Sequence, residues 1–410
     1  MVLDTPDLDS FQMRHAGKDL LSLALMDARN HTLRWISAYE EAIGERQFVV
    51  PPMAELNPPL WLLGHIGWFQ ERWIARNVHR QRGTHSDPTA PRLASISSDA
   101  DRWYDPAQAP HAAHWQLDLP DLSATKQYLA DAMDITLELL ESAGDGDDTL
   151  YFYRLALFHE DMQGEVFAEM AQTLGMNIAG ANGLLRDWTS SVQREPLLFP
   201  ATRWQLGSPR GGFVFDNEKW THIVDVPEFE IDAQPVTWAQ YTEFVQDGGY
   251  DEEQWWSQAG LEWLKAHGRR VPRHVDQMRQ GVMQQRFGRL THVPLLQPVA
   301  HVSWYEAEAW CRWAGRRLPS EVEWEAAAQA YSRGYAWGSV WEWTASTFRA
   351  YPGFEPDPWV EYSQPFFGRS KVLRGASIAT RKRLMHTKFR RFALPEREDL
   401  FCGFRSCAAS

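Results

Sequence analysis

Apolar and polar positions follow two different rhythms along this chain, and the change comes near its midpoint. Over residues 11–43 no proline interrupts the sequence, and Leu20, Leu23, Ala24 and Met26 recur at helical spacing. The pattern predicts one long helix there. Asn57-Pro58-Pro59 opens a second, over 60–77, because a proline just inside a helix start removes only an N–H that has no partner there. Residues 81–118, rich in Pro, Ser, Asp and His, read as a long loop. Asp121 or Ser123 caps a third helix running to about Ser142. Gly144-Asp145-Gly146-Asp147-Asp148 reads as a turn, and a fourth helix follows over 149–174. Four long helices predict a four-helix bundle.

From Phe199 onward the predicted strands are short, helices are few, and Gly, Pro and aromatics are dense. Phe213-Val214-Phe215 and residues 222–226 read as strands, and 235–245, 304–314 and 320–330 as short helices. Trp341-Glu342-Trp343 and 371–375 belong to an irregular α+β pattern. The reading is therefore multi-domain: a helical bundle over 1–195 and an α+β domain over 196–410, divided at Arg194-Glu195-Pro196. No internal repeat is visible.

The 410 residues are 44% hydrophobic and 23% charged, the balance of a globular chain able to bury its own cores. The net charge of −13 excludes the basic footprint that nucleic-acid phosphates need. Three cysteines, Cys311, Cys402 and Cys407, point to a reducing compartment without a disulfide framework. The apolar run over 20–26 is too short for a signal sequence or a membrane span, so no membrane partner and a cytoplasmic location are expected. The 21 tryptophans suit both packed cores and pockets for cations or flat rings.

Candidate metal chemistry lies in His159-Glu160-Asp161-Met162-Gln163-Gly164-Glu165, inside the fourth helix. Positions four apart on a helix are offset by about 40°, so His159 and Gln163 share a face and can reach one metal. Glu165 is offset by about 120° and reads as a hydrogen-bond partner behind the ligands. His65, in the second helix among Trp61, Trp68 and Trp73, can stand opposite His159 in a bundle. By spacing alone, a helical histidine is more often a packed side chain than a ligand. Gln163, where a second histidine is expected, is a neutral and weaker donor.

These residues and a series of later motifs resemble the sulfoxide synthases of ergothioneine biosynthesis and their selenium-using relatives, the selenoneine synthases. Leu60-Trp61-Leu62-Leu63-Gly64-His65-Ile66-Gly67 resembles the first iron-ligand segment of a DinB-like bundle, and 159–165 resembles the family's H-x-x-x-H-x-E. The second half resembles the formylglycine-generating-enzyme (C-type-lectin-like) fold. Its marks are Pro235-Val236-Thr237, Gly248-Gly249-Tyr250, the stretches 301–307 and 315–325, Val340-Trp341-Glu342-Trp343-Thr344, Val372-Leu373-Arg374-Gly375 and Cys402-Gly403-Phe404-Arg405. The likeness runs over nearly the whole chain. It implies Fe(II), with O2, hercynine (trimethylhistidine) and a selenosugar or thiol as small-molecule substrates, joined by an oxidative C–Se or C–S bond.

The resemblance also distributes roles. His65, His159 and Gln163 become the metal set, with Glu165 behind them. Phe389-Arg390-Arg391-Phe392-Ala393-Leu394-Pro395-Glu396-Arg397 matches a stretch that reads roughly F-R-N-W-D-x-P-x-R in the ergothioneine enzymes. Phe392 takes the aromatic place over the trimethylammonium, Arg397 matches an arginine associated with the donor's carboxylate, and Arg390 and Arg391 are further candidate substrate contacts. Arg391 in place of Asn, and Ala393 in place of an acid, argue against a γ-glutamylcysteine donor. Trp359 corresponds to the active-site tyrosine of one branch and Tyr362 to a second tyrosine, so Tyr362 is either catalytic or structural. Trp341-Glu342-Trp343 reads as framework. Cys402 and Cys407, expected to flank a Gly-Phe-Arg-Ser turn in the core, argue against a copper-binding cysteine pair. The preferred expectation is a selenoneine-type enzyme; an ergothioneine-type enzyme using a thiol, and a metal-poor hercynine-binding protein, are the alternatives. Gln163 leaves three cases open: a natural amide ligand, a two-histidine site completed by water, or a single change in an otherwise active enzyme.

Overall fold

A computed structural model describes residues 10–178 and 183–409. The first half is helical. α1 (Ser10–Arg14) and α2 (Lys18–Ile43) replace the single helix expected over 11–43. The break falls at Gly17, which takes an extended conformation (ψ −177°) and is a poor helix residue. α3 (Pro59–Gln70) starts with proline in its first turn and continues into a π-helical turn, Glu71–Ala75, a feature that recurs at functional sites. Eleven of its twelve residues are buried, as its apolar character on every side requires. The expected loop over 81–118 contains α4 (Ala100–Tyr104) and two 3-10 turns. α5 (Leu122–Glu141) is capped by Asp121, whose carboxylate accepts from the Ala124 N–H at 2.8 Å. α6 (Asp147–Thr173) is the long central helix, and α2 and α3 pack against it.

The second half is built of short strands. β1 (Leu197–Phe199), β2 (Thr202–Leu206), β3 (His222–Val226) and β4 (Phe229–Ile231) are followed by α7 (Trp238–Gln246) and α8 (Gln258–His267). β5 (Val275–Gln277), β6 (Val282–Arg286) and β7 (Arg289–Val293) form an antiparallel meander. α9 (Trp304–Trp313), β8 (Arg316–Arg317) and α10 (Glu321–Ala330) follow, and both helices open on capping boxes, Ser303/Glu306 and Ser320/Glu323. β9 (Trp341–Thr347), β10 (Lys371–Gly375), β11 (Arg391–Ala393), β12 (Cys402–Phe404) and β13 (Cys407–Ala408) complete the chain. Two four-stranded sheets, ordered β1-β4-β13-β8 and β11-β10-β9-β12, form the framework.

Two expectations are corrected. Phe213-Val214-Phe215 is not a strand. Its apolar side chains are buried because Phe213 packs on Tyr151 and Phe158 of α6, and the Phe213 N–H donates to the Arg14 carbonyl. Cys402 and Cys407 lie on strands rather than flanking a turn; both are buried and free.

The two halves bury one another. Arg14 of α1 pairs with Glu218 at 2.6 Å, and Asp161 of α6 pairs with Arg383 at 2.7 Å. Between them α3 and α6 turn one face toward the segment 357–366 and toward β11, and that junction holds the site.

Candidate metal centre and active-site cavity

His65 is brought into position by α3 and His159 by the middle of α6. Their ring centroids stand 5.2 Å apart with planes at 63°. His65 lies between two indoles, Trp61 (4.9 Å, 11°) and Trp68 (5.5 Å, 27°). Its Nδ1 is 2.9 Å from the Tyr104 carbonyl oxygen. A carbonyl only accepts, so Nδ1 carries the proton and Nε2 keeps its lone pair. His159 is stacked on Phe69 (3.6 Å, 8°) and meets Trp359 edge-on (5.4 Å).

Both rings are 7% exposed or less. Burial pulls the His65 imidazole down to about 4, against the opposing pull of the Tyr104 carbonyl and Asp105. Burial, with His65 adding, holds His159 well below the usual imidazole range. Each ring is therefore neutral at physiological pH, the form that binds metals.

Gln163 is the third candidate ligand. Its amide nitrogen is 3.1 Å from His159 Nε2, so the two share the helix face that their spacing predicts. Turning the amide over presents its carbonyl oxygen at the same point. Among the described residues no group of three or more His, Cys, Asp or Glu could hold a metal. Two neutral imidazoles and one amide fit a divalent transition metal that keeps open positions, with one donor weaker than imidazole. Glu165 stands apart from this set: its Oε2 accepts from Trp341 Nε1 (2.8 Å) and from Arg391 (2.5 Å).

His65 and Gln163 line a cavity of about 540 Å³, and His159 meets it through Phe69 and Trp359, two of its wall residues. Trp359, Tyr362 and Phe392 form an aromatic wall: Trp359 stacks on Tyr362 at 4.7 Å, and Tyr362 meets Phe392 edge-on at 5.7 Å. The Tyr362 hydroxyl points at Met162 Sδ, 3.9 Å away, and burial holds its phenol far above the usual range. Two guanidiniums line the cavity, and both are occupied. Arg391 bridges Glu165 and Glu169 (2.5 and 2.7 Å), and Arg72 lies 3.6 Å from Asp105. Three carboxylates, Asp105, Glu165 and Glu361, line it too, so the wall leans negative.

Two candidate contacts lie elsewhere. Arg390, 1% exposed, is bound to Glu321 (2.8 and 3.0 Å) and stacks over Tyr351; it holds the framework and does not line the cavity. Arg397 is clamped by Asp399 at 2.5 Å and does not line it either. Trp341, read as framework, lines the cavity and holds Glu165. Phe69, Arg72, Asp105 and Glu169 escape the sequence reading. Phe69, one helical turn after His65, is the one that spacing could have indicated.

The sequence matches the DinB superfamily over residues 28–171 and the sulfatase-modifying factor enzyme 1-like domain over 191–339. The hercynine oxygenase of Mycolicibacterium thermoresistibile is 31% identical to the chain, over 94% of each protein. That of Mycobacterium tuberculosis is 30% identical over 94% of this chain and 97% of that protein. The formylglycine-generating enzyme of Streptomyces coelicolor is 33% identical, over 35% of this chain and 51% of that protein. A helical bundle and a sulfatase-modifying-factor-type domain that wall one cavity define the class, a two-domain oxygenase. The chain belongs to the hercynine oxygenase family.

Proposed function

We propose that this chain joins hercynine to a selenosugar, using O2 and one Fe(II), to give a selenoxide. The observation that carries the reading is the facing pair of neutral imidazoles, His65 and His159, beside an aromatic cavity with a negative lean that His65 and Gln163 line. His65, His159 and Gln163 hold the iron, which when bound supplies the activation of O2. Phe392, with Tyr362 and Trp359, receives the trimethylammonium group, whose diffuse charge suits aromatic faces. The same walls exclude water from the reacting groups. Tyr362 keeps its proton and presents it from the wall.

The donor follows from the cations. A carboxylate-bearing thiol needs a free cation to bind it. Arg391 is held by Glu165 and Glu169 and Arg72 lies beside Asp105, so what cationic charge remains goes to the carboxylate of hercynine, and a neutral polyol donor suits the cavity better than a second carboxylate. The family relation supports hercynine as the acceptor.

The test is anaerobic loading with Fe(II), then O2 uptake and product mass with hercynine plus selenoglucose, cysteine or γ-glutamylcysteine. Rapid uptake with selenoglucose and a selenoxide product are expected. Faster turnover with cysteine would move the assignment to the thiol branch. Protein that binds hercynine but retains no iron would make it a binding protein.

A further inference from the structure

The segment 357–363 is a partition with a different chemistry on each side. Pro358, Trp359 and Tyr362 face the main cavity. Asp357 and Ser363 reach groups behind it. Asp357 accepts from Lys219 Nζ at 2.5 Å and from the Tyr151 hydroxyl at 2.8 Å. The Ser363 hydroxyl donates to Asp216 at 2.6 Å. Lys219 and Tyr151 also line a second cavity, of about 200 Å³, which Arg210 and Asp148 line as well. Two groups therefore lie between the second cavity and the back of the Tyr362 wall: Lys219, Tyr151 and Asp357 bonded together, and Asp216 held by Ser363, with charge coupling Asp216 to Asp357 and Lys219. Asn217, next to Asp216, bears on the Tyr362 phenol itself.

These groups are buried: Asp216 is 2% exposed and Asp357 7%. The Lys219 ammonium is bonded to Asp357 and reaches Asp216 only through its charge, so two carboxylates stand near one cation, which favours keeping a proton on Asp216. Glu218 does not change this, because Arg14 holds it at 2.6 Å. Burial, with Asp357 adding, pushes the Asp216 carboxyl up to about 7, against the pull of Ser363 and Lys219. Asp216 Oδ2 has no partner, which leaves an oxygen to carry that proton.

The reaction proposed above has a use for such a proton. It converts a C–H, an Se–H and O2 into a C–Se(=O) bond and water, so both hydrogens of the water come from the substrates and no net proton is consumed. Oxygen need not take its protons at the moment the substrates give theirs up. A donor in the wall that lends a proton and later recovers it removes that constraint.

We propose that Asp216, with Asp357 and Lys219, is a proton store that resupplies the Tyr362 wall from the second cavity. Asp216 touches no substrate and is a positioning residue. The proposal rests on the functional reading above.

The test is Asp216→Asn in the iron-loaded enzyme, beside infrared titration of the metal-free protein. The expected result is a fall in kcat of about tenfold or more with KM for hercynine within about twofold. The wild type is expected to show a decline in kcat above pH 7, and the variant to lose it. In the metal-free protein, the wild-type-minus-variant difference spectrum shows a protonated-carboxyl band that disappears near pH 7, while the bands of Glu169 and Glu306 are common to both and cancel. If Asp216→Asn does not fold, Ser363→Ala replaces it. Removing the Ser363 donor, which favours the ionised form, moves both the band and the kcat limb to higher pH. Unchanged kcat and pH profile in Asp216→Asn, or no carboxyl band titrating near pH 7 in the wild-type-minus-variant difference, overturns the store. Wild-type enzyme inactive with hercynine would sink the functional reading alone, because the infrared titration decides the store without turnover.

Discussion

At Gln163 an amide shares one face of α6 with His159, at contact distance from its Nε2. Replacing it by histidine exchanges a neutral oxygen donor for imidazole at the same position. Gln163→His is expected to raise iron affinity about tenfold or more, or ~1.4 kcal/mol, in an anaerobic competition titration. Unchanged affinity means that position 163 does not face the metal. Phe392 supports a second prediction. A cation over an aromatic face is worth roughly 0.5–2 kcal/mol, so Phe392→Ala should raise the Kd for hercynine between about two- and thirtyfold. Binding of unmethylated histidine should move much less, and calorimetry on the metal-free protein separates the two. The shared face of His159 and Gln163 was legible because a helical repeat carries it, and the place of Phe392 beside Arg391 on the cavity wall because a linear motif does. Arg391 was legible as a residue, but its captivity was not. The carboxylates that occupy it lie 226 and 222 positions away in sequence, and local pattern does not record such pairings.

Among the elements, α6 carries the heaviest duty. One side turns His159 toward His65 and presents Gln163 to the cavity, and another buries Glu160 against α2. There Arg29 Nε donates to Glu160 at 2.9 Å, and the Thr32 hydroxyl donates to it at 2.8 Å. Both ions are nearly out of reach of water. Removing one leaves the other buried with incomplete partners, so Glu160→Ala should cost about 3–5 kcal/mol in urea unfolding. Asp121→Ala, which removes only the cap of α5, should cost about 1 kcal/mol. Equal losses would mean that the Arg29–Glu160 pair adds nothing beyond an ordinary contact. Long helices were readable because their periodicity is repeated many times. The β5–β7 meander was not. Its tight turn, Phe287-Gly288, has positive φ at both residues (47° and 72°), yet lacks the Asn-Gly or Asp-Gly that usually marks such a turn. Phe213-Val214-Phe215 failed differently: an aromatic run looks alike whether it pairs in a sheet or docks on a helix.

Across the whole molecule, stability against pH is set by two opposed sets of buried groups. His274, His301 and His386 are held below the usual imidazole range by burial first, His274 to about 4. Their contribution is fully present above about 6.5, the unfolded imidazole value, and is lost as pH falls below it. Glu306 is the clearest member of the other set. Burial first, and then the charge of Glu398, push it up to about 8 from an ordinary value of 4.5. It accepts from the Tyr250 hydroxyl at 2.5 Å and from the Ser303 N–H at 2.6 Å, bonds that a protonated carboxyl can still accept. Asp216 and Glu169 rise to about 7 in the same direction. A raised carboxyl keeps a proton that the unfolded chain has released, so its contribution is fullest below pH 4.5 and falls until its own midpoint is passed. Between 4.5 and about 7.5 the two sets oppose each other, because histidines in the unfolded chain are still half protonated at 6.5. A comparison of wild type with a single-carboxyl variant cancels the histidines. From pH 6.5 to 8 each carboxyl still protonated should lower the stability in urea unfolding by up to ~1.4 kcal/mol per pH unit. Glu306→Gln imitates the protonated form at every pH. The variant should gain on the wild type steadily over that interval, and a constant difference between them would show that Glu306 is already ionised at pH 6.5.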